Sequence, residues 1–524
     1  MRYPNRQKQR KCIIVTTMQH LQRQCGLLLH PTSLPSNLGI GSLGDEAMAF
    51  IDLLKQAKVT LWQILPLGPT GYGDSPYAAR STFAGNELLI DLKTLAYEGF
   101  LEIGDVLVHP SFPRNRIDYS MVRSFKEPLL KKASDAFLAL ADSKHKEAYA
   151  SFCKENAWWL DDYALYQVLC SEYNDSRWNS MWPKDLTLRK PAALKKATDT
   201  HKMEIERVKV QQYFFFTQYK AVKDYANANG VSIIGDIPIF VAPDSVDAWT
   251  NTRLLKMDKD GMQTASSGVP PDAFSSDGQL WGNPVYNWKE HEKENFAWWI
   301  KRIEQTLKLC DIIRIDHFRG FAAYWEVPQG ETTAVKGTWV PAPGEKLMAA
   351  LKQALGDQIP LIAEDLGVIT EDVEQLRDSN NLPGMKILQF AFNLENGKLD
   401  TTNAYLPHNC QYNSVIYTGT HDNNTTQGWY NELDGVTKDK VRRYLEAPDD
   451  QVLWQMIRVL MMSASQYAIL PMQDLLGLGS EGRMNVPSTC GQNNWSWQLH
   501  SLDIDMWRID RLRGLIEIYG RIGA

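Results

Sequence analysis

Eight brief, nearly continuous apolar runs recur along the chain, at residues 25–30, 61–67, 232–237, 312–316, 360–365, 386–392, 414–418 and 468–472. A strand solvated on one face alternates apolar and polar residues, whereas a strand buried on both faces reads as an unbroken apolar run. Runs of this second kind predict parallel strands covered by helices. Helical spacing fills several of the intervals, at 45–57, 210–229, 296–309, 346–355, 371–378 and 452–466. In the first of these, Ala47, Phe50, Ile51 and Leu54 form the apolar stripe and acids occupy the first turn. Eight strands with helices between them predict an α/β fold, a (β/α)8 barrel. The interval from 392 to 414 carries no clear helical pattern.

The 524 residues exceed what such a barrel needs, so insertions are expected. Residues 21–95 form the first part of the barrel, and 96–205 read as a mainly helical insertion. Within it Trp158, Trp159, Tyr163 and Tyr166 stand at helical spacing. Residues 206–524 complete the barrel, with 241–294, rich in Gly, Pro, Asp and Ser, as a loop-dominated excursion. Long excursions after barrel strands gather at the catalytic face. Residues 1–20 form a basic extension (Arg2, Arg6, Lys8, Arg10, Lys11) whose apolar stretch, 12–15, is too short for a signal-peptide core. The expected reading is a disordered segment in a cytoplasmic protein, or a plastid-targeting segment if the basic residues serve that purpose.

A net charge of −6 excludes nucleic acid as the main partner, because phosphate binding wants a basic face. No apolar run is long enough to span a membrane. The seven cysteines are scattered without a CxxC pair, which suggests neither a zinc site nor a disulfide framework. Seventeen Trp and 21 Tyr supply flat rings suited to stacking on sugars, although a large core uses such rings too.

Several predicted strands end in a charged residue. In Arg314-Ile315-Asp316, strand alternation puts Arg314 and Asp316 on one face. A guanidinium there favours the ionised carboxylate that a nucleophile requires; the same pair also suits a buried structural bridge. Glu364 and Asp365 end the next run and point to opposite faces, so one of them enters the barrel mouth. A carboxyl group in a partly apolar cleft near other acids resists ionisation and suits a proton donor, while helix capping is the plainer role. His421-Asp422 follows a later strand, in a turn whose Asp and Asn content alone has an ordinary explanation. Asp236 is a fourth acid at a strand end. No ligand spacing around these residues calls for a metal. Acids after different strands fit a barrel enzyme, and glycoside chemistry needs two carboxylates flanking one bond.

Two further segments look built for contact: Gly71 to Tyr77, with two glycines and two aromatics, and Gly268 to Trp288, where Trp281 sits among Gly and Pro in the part up to Pro284. Together with the His30–Ser36 start, Gly235 to Pro238, Arg314 to Gly320 and Gly419 to Asn423, they resemble the amylomaltase, or 4-α-glucanotransferase, family (glycoside hydrolase family 77). The resemblance runs from about Gly26 almost to the C-terminus. It implies a retaining transferase on an α-amylase-type barrel, moving α-1,4-glucan segments from a glucan donor to glucose or a maltooligosaccharide acceptor, without cofactor or catalytic metal. By the same resemblance Asp316 would be the nucleophile, Glu364 the acid/base and Asp422 the transition-state stabiliser. Arg314 would support Asp316, His421 and Asp236 would bind sugar hydroxyls, and Tyr72, Ser75 and Tyr77 would line donor subsites. Trp281 would sit in a loop over the acceptor side. The stretch Ala78-Ala79-Arg80 departs from the family pattern, as do residues 485–489 and 494–498. Two other readings stay open: an α-glucan hydrolase on the same barrel, and a non-catalytic glucan-binding protein.

Overall fold

The computed structural model describes residues 22–271, 275–491 and 493–523, so the expectation for residues 1–20 lies outside the described residues. Eight parallel strands close a barrel in chain order: β1 (Gln24–Leu28), β2 (Leu61–Gln63), β3 (Ser232–Ile237), β4 (Ile312–Ile315), β5 (Leu361–Ala363), β6 (Gly384–Ile387), β7 (Ser414–Tyr417) and β8 (Tyr467–Pro471), with β8 pairing back to β1. Seven of them overlap the predicted runs closely. The sixth lies earlier than expected. Its apolar run continues past Ile387, but Leu388–Phe392 turns into a 3-10 helix. Leu388, Ala391 and Phe392 there pack with Leu406, Tyr430, Val441 and Met456 into a small separate core. An apolar run cannot say which core it feeds.

Helices α1 (Asp45–Gln56), α2 (Tyr119–Leu140), α3 (Ser143–Tyr173), α4 (Lys202–Ala228), α5 (Ala297–Leu309), α6 (Gly344–Leu355), α7 (Glu371–Ser379), α8 (Val452–Met462) and α9 (Met506–Ile518) are the longer covering elements. Between β2 and β3, α2 and α3 pack against α4. Trp159, Tyr163 and Tyr166 of α3 are buried, Tyr166 against Trp182 and Trp249, which accounts for their helical spacing; Trp158 is partly exposed. The interval after Phe392 holds no helix but a two-stranded hairpin, Leu394–Glu395 with Lys398–Leu399, and a 3-10 turn.

The excursion at 241–294 differs from expectation. It contributes two strands, Ala265–Val269 and Gln279–Pro284, to a four-stranded antiparallel sheet. The other two strands, Ala323–Pro328 and Thr338–Pro341, come from the connection after β4. These strands are short and partly solvated, and two of the pairing partners lie beyond an intervening helix and barrel strand. Local composition therefore reads as loop. Among the described residues, no helix is long and apolar enough to cross a membrane.

Candidate active site

Register brings the acids together. Asp236 of β3 is the Cα partner of Arg314 on β4, and Ile315 pairs with Ala363 on β5. Asp316 and Glu364 thus emerge side by side, each one residue past its strand. The backbone continues the ladder at that level: Glu364 N–H donates to the Ile315 carbonyl at 3.1 Å, and Asp316 N–H to the Ile237 carbonyl at 2.9 Å. Asp422 arrives from the end of β7 through Thr418-Gly419-Thr420-His421.

An open cleft of about 1300 Å³ runs over these strand ends. That exceeds the roughly 300–1,000 Å³ of a small-molecule pocket and suits an extended ligand. Asp316, Glu364, Asp422, Arg314, Tyr72, Ser75, Tyr77 and Trp281 all line it. Asp236 and His421 stand behind the wall instead. The Asp236 side chain has no exposed surface, and it accepts two bonds from Arg314 (2.9 and 2.7 Å) and one from the Tyr77 hydroxyl (2.7 Å). Its carboxylate is engaged by Arg314 and Tyr77. His421 is buried, stacked on Tyr77 at 5.1 Å, with Nε2 at 3.3 Å from Asp422 Oδ2.

Arg314 also donates to Asp316 at 2.8 Å and is almost wholly buried. One guanidinium therefore orients two carboxylates, and its fixed fork suits that task. The Arg314–Asp316 pair is a salt bridge that extends through the same guanidinium to Asp236.

Three acids in one cleft have three different surroundings. Burial, then the neighbouring Asp316, push Glu364 up from 4.5 to about 8. Two backbone N–H groups oppose this, His317 to Oε2 at 2.6 Å and Leu366 to Oε1 at 2.9 Å. Burial also pushes Asp316 upward, with the Arg314 guanidinium pulling the other way. At about 8, Glu364 holds a proton near neutrality. Burial acts against ionisation of Asp422 as well, but the charge and hydrogen bond of His421, the Asn485 amide and Arg314 outweigh it and hold the carboxyl well below the usual range. Asp365, pointing the other way, is paired with Arg377 and accepts from the Met385 N–H at 2.6 Å; its role is structural.

The contact segments are built locally. Gly73 takes φ +67, a left-handed turn closed to most side chains, and the loop folds so that Ser75 Oγ accepts from Tyr77 N–H at 3.2 Å. Tyr72 is left 76% exposed at the cleft rim. Trp281 lies on a strand rather than in a loop, packed edge-on against His317 at 4.7 Å. Among the described residues, no group of three or more His, Cys, Asp or Glu is placed to hold a metal ion.

Residues 29–505 match the family described as 4-alpha-glucanotransferase, glycoside hydrolase family 77. The chain belongs to the 4-alpha-glucanotransferase family. It has 4-alpha-glucanotransferase activity, that of an amylomaltase. The 4-alpha-glucanotransferase of Synechocystis sp. is 46% identical over 505 residues, covering 96% of this chain and 99% of that protein. The enzyme of Thermus thermophilus is 46% identical over 510 residues, covering 96% of this chain and all (100%) of that one. Amylomaltase from Streptococcus agalactiae, solved in complex with acarbose, superimposes with a TM-score of 0.91 at 39% identity, covering 96% of this chain and 100% of that chain.

In this 4-alpha-glucanotransferase, residue-level reading of the sequence missed Asn485, whose amide donates to Asp422 Oδ1 at 2.6 Å. Arg483 also holds the Asp422 backbone carbonyl, at 2.8 Å, and Trp495 packs against both Tyr77 and His421. The only sequence signal here was that residues 485–489 and 494–498 depart from the family pattern. Such a departure marks a region without assigning it a contact.

Proposed function

We propose that this 4-alpha-glucanotransferase works by retaining double displacement with Asp316 as nucleophile, Glu364 as acid/base and Asp422 as transition-state stabiliser. The observation that carries the reading is the contrast between adjacent carboxyl groups: Glu364, proton-holding and without a cationic hydrogen-bond partner, beside Asp316, bonded to Arg314. Such divergent surroundings are what separate an acid from a nucleophile.

Glu364 gives its proton to the glycosidic oxygen as an Asp316 carboxylate oxygen attacks the anomeric carbon. The bond to the leaving fragment breaks, and a β-glycosyl ester forms on Asp316. The reducing-end fragment departs. Glu364, now ionised, takes the proton from the 4-hydroxyl of an acceptor, whose oxygen displaces Asp316 and restores an α-1,4 bond. Two inversions give retention. Asp422, anionic throughout, stabilises the positive charge that develops at the anomeric centre and binds hydroxyls of the same ring. The donor is an α-1,4-glucan, from maltooligosaccharides to starch- or glycogen-derived chains, and the acceptor is glucose or a maltooligosaccharide. Tyr72, Ser75 and Tyr77 belong to the donor side and Trp281 to the acceptor side. Asp236 acts through Arg314. The free thiols of the six described cysteines support a reducing compartment such as the cytoplasm as the place of work.

Maltotriose tests the reading. Transfer yields glucose and longer chains at constant total reducing ends; a steady rise in reducing ends would make the protein a hydrolase in practice. Asp316→Asn is expected to lower turnover at least about 10³-fold, and full activity in that variant would overturn the assignment.

A further inference from the structure

The antiparallel sheet presents a second tryptophan to the cleft besides Trp281. Trp339, on the strand Thr338–Pro341, is 39% exposed and lines the same cleft as Asp316 and Glu364. Its partner across the sheet, Trp325, meets it edge-on at 5.2 Å and 67°. Trp325 is itself fixed: its indole N–H donates to the Ala334 carbonyl at 2.8 Å, and it fills the space where a Cβ at Gly337 would come within 2.1 Å of that nitrogen. The guanidinium carbon of Arg319 stacks 3.9 Å from the centre of the Trp339 ring. Arg319 is buried, donates to the Val368 carbonyl, and leaves its Nε without a hydrogen-bond partner. A buried guanidinium with an unsatisfied N–H is costly, and its position over the indole recovers part of that cost as a cation–π contact.

An indole held on one face and one edge has little freedom left to lose. Its remaining surface is open to the cleft, and a preorganised flat ring suits the apolar face of a sugar. Thr332 and Thr333, which line the cleft as well, supply hydroxyls on the same connection. Val368 belongs to the loop that follows Glu364, so the Trp339–Arg319 stack is anchored to the wall on the Glu364 side. A proton donor faces the fragment that departs, and the acceptor later occupies that fragment's place.

We propose that Trp339 is a stacking platform for a glucose unit of the acceptor chain, remote from the reacting hydroxyl, and that it sets the preference for long acceptors over glucose. The proposal rests on Glu364 being the proton donor, since that assignment defines the acceptor side.

The test holds one donor fixed and measures kcat/KM for glucose, maltose, maltotriose, maltotetraose and longer acceptors. In Trp339→Ala the advantage of the long acceptors over glucose is expected to shrink about five- to tenfold, the size of one aromatic contact. Trp339→Phe keeps a flat ring and should preserve most of the advantage. Trp339→Leu keeps the apolar bulk against Arg319 without the ring, and should lose it. The Phe and Leu pair decides the matter even if the alanine variant fails to fold. An equal fall for every acceptor, or no change in the ratio, would overturn the platform. An active Asp316→Asn would overturn the mechanism, which the acceptor series does not measure.

Discussion

Glu364 and Asp422 are carboxyl groups in one cleft, yet burial and a neighbouring acid raise the one while the partners of the other hold it low. As the proposed proton donor Glu364 starts the reaction protonated, so kcat/KM should fall on the basic side as pH rises through about 8. A basic limb near the ordinary carboxylate range would contradict this. The same shift has a consequence for stability. The folded protein holds this proton more tightly than the unfolded chain, so the stabilisation is complete below pH 4.5 and is lost as pH rises to about 8. Glu364→Gln keeps the shape and cannot ionise. Its thermal midpoint should exceed that of the parent by more at about pH 9 than at about pH 5, and an equal difference at both would count against the raised pKa. Asp422 depends on a neighbour 63 residues away, Asn485. Asn485→Ala removes one hydrogen bond to a charged group, and kcat should drop roughly tenfold to a hundredfold with little change in KM. Alternation along one strand made the Arg314–Asp316 pairing legible in the sequence. No periodicity points to a single Asn on a distant loop, and that contact was not.

The elements divide by how their burial is written. Each barrel strand is covered on both faces and leaves an unbroken apolar run, so eight strands could be read, with a shift only where Leu388–Phe392 feeds the small second core. The antiparallel sheet left no such trace, because its strands are short, partly solvated and paired across the intervening barrel elements. It nonetheless carries both Trp281 and Trp339. Its weak point is Gly268, where a Cβ would sit 2.4 Å from the Gln279 carbonyl, a backbone atom that cannot swing aside. Gly268→Ala is expected to part the two strands and shift Trp281. Hydrolysis should then gain on transfer by about threefold or more, since water replaces a poorly held acceptor. An unchanged product ratio would separate Trp281 from transfer.

At the scale of the whole molecule, the first strand meets the residues after the last helix where the barrel closes. Arg521, fully buried near the C-terminus, donates to the carbonyls of Met461, Ser463 and Ser465, and to Gln24 at the start of β1. It fastens the β8–β1 seam at the face opposite the cleft. Arg521→Met should destabilise the protein by about 3–5 kcal/mol, because several buried carbonyls lose their donor. Calorimetry would show a lower thermal midpoint, with turnover per folded molecule preserved. A lone Arg after a terminal helix gave no hint of this in the sequence. The barrel as a whole could be read because its order follows the chain; the clamp could not, because it joins residues 497 positions apart. The central claim is that glucan passes through a covalent bond to Asp316, and trapping tests it most directly. Glu364→Gln is given an α-maltosyl fluoride, whose leaving group needs no proton, then quenched and mapped by peptide mass spectrometry. The account predicts a maltosyl ester on the peptide containing Asp316; an adduct on another residue, or turnover with an inverted product and no adduct, would contradict it.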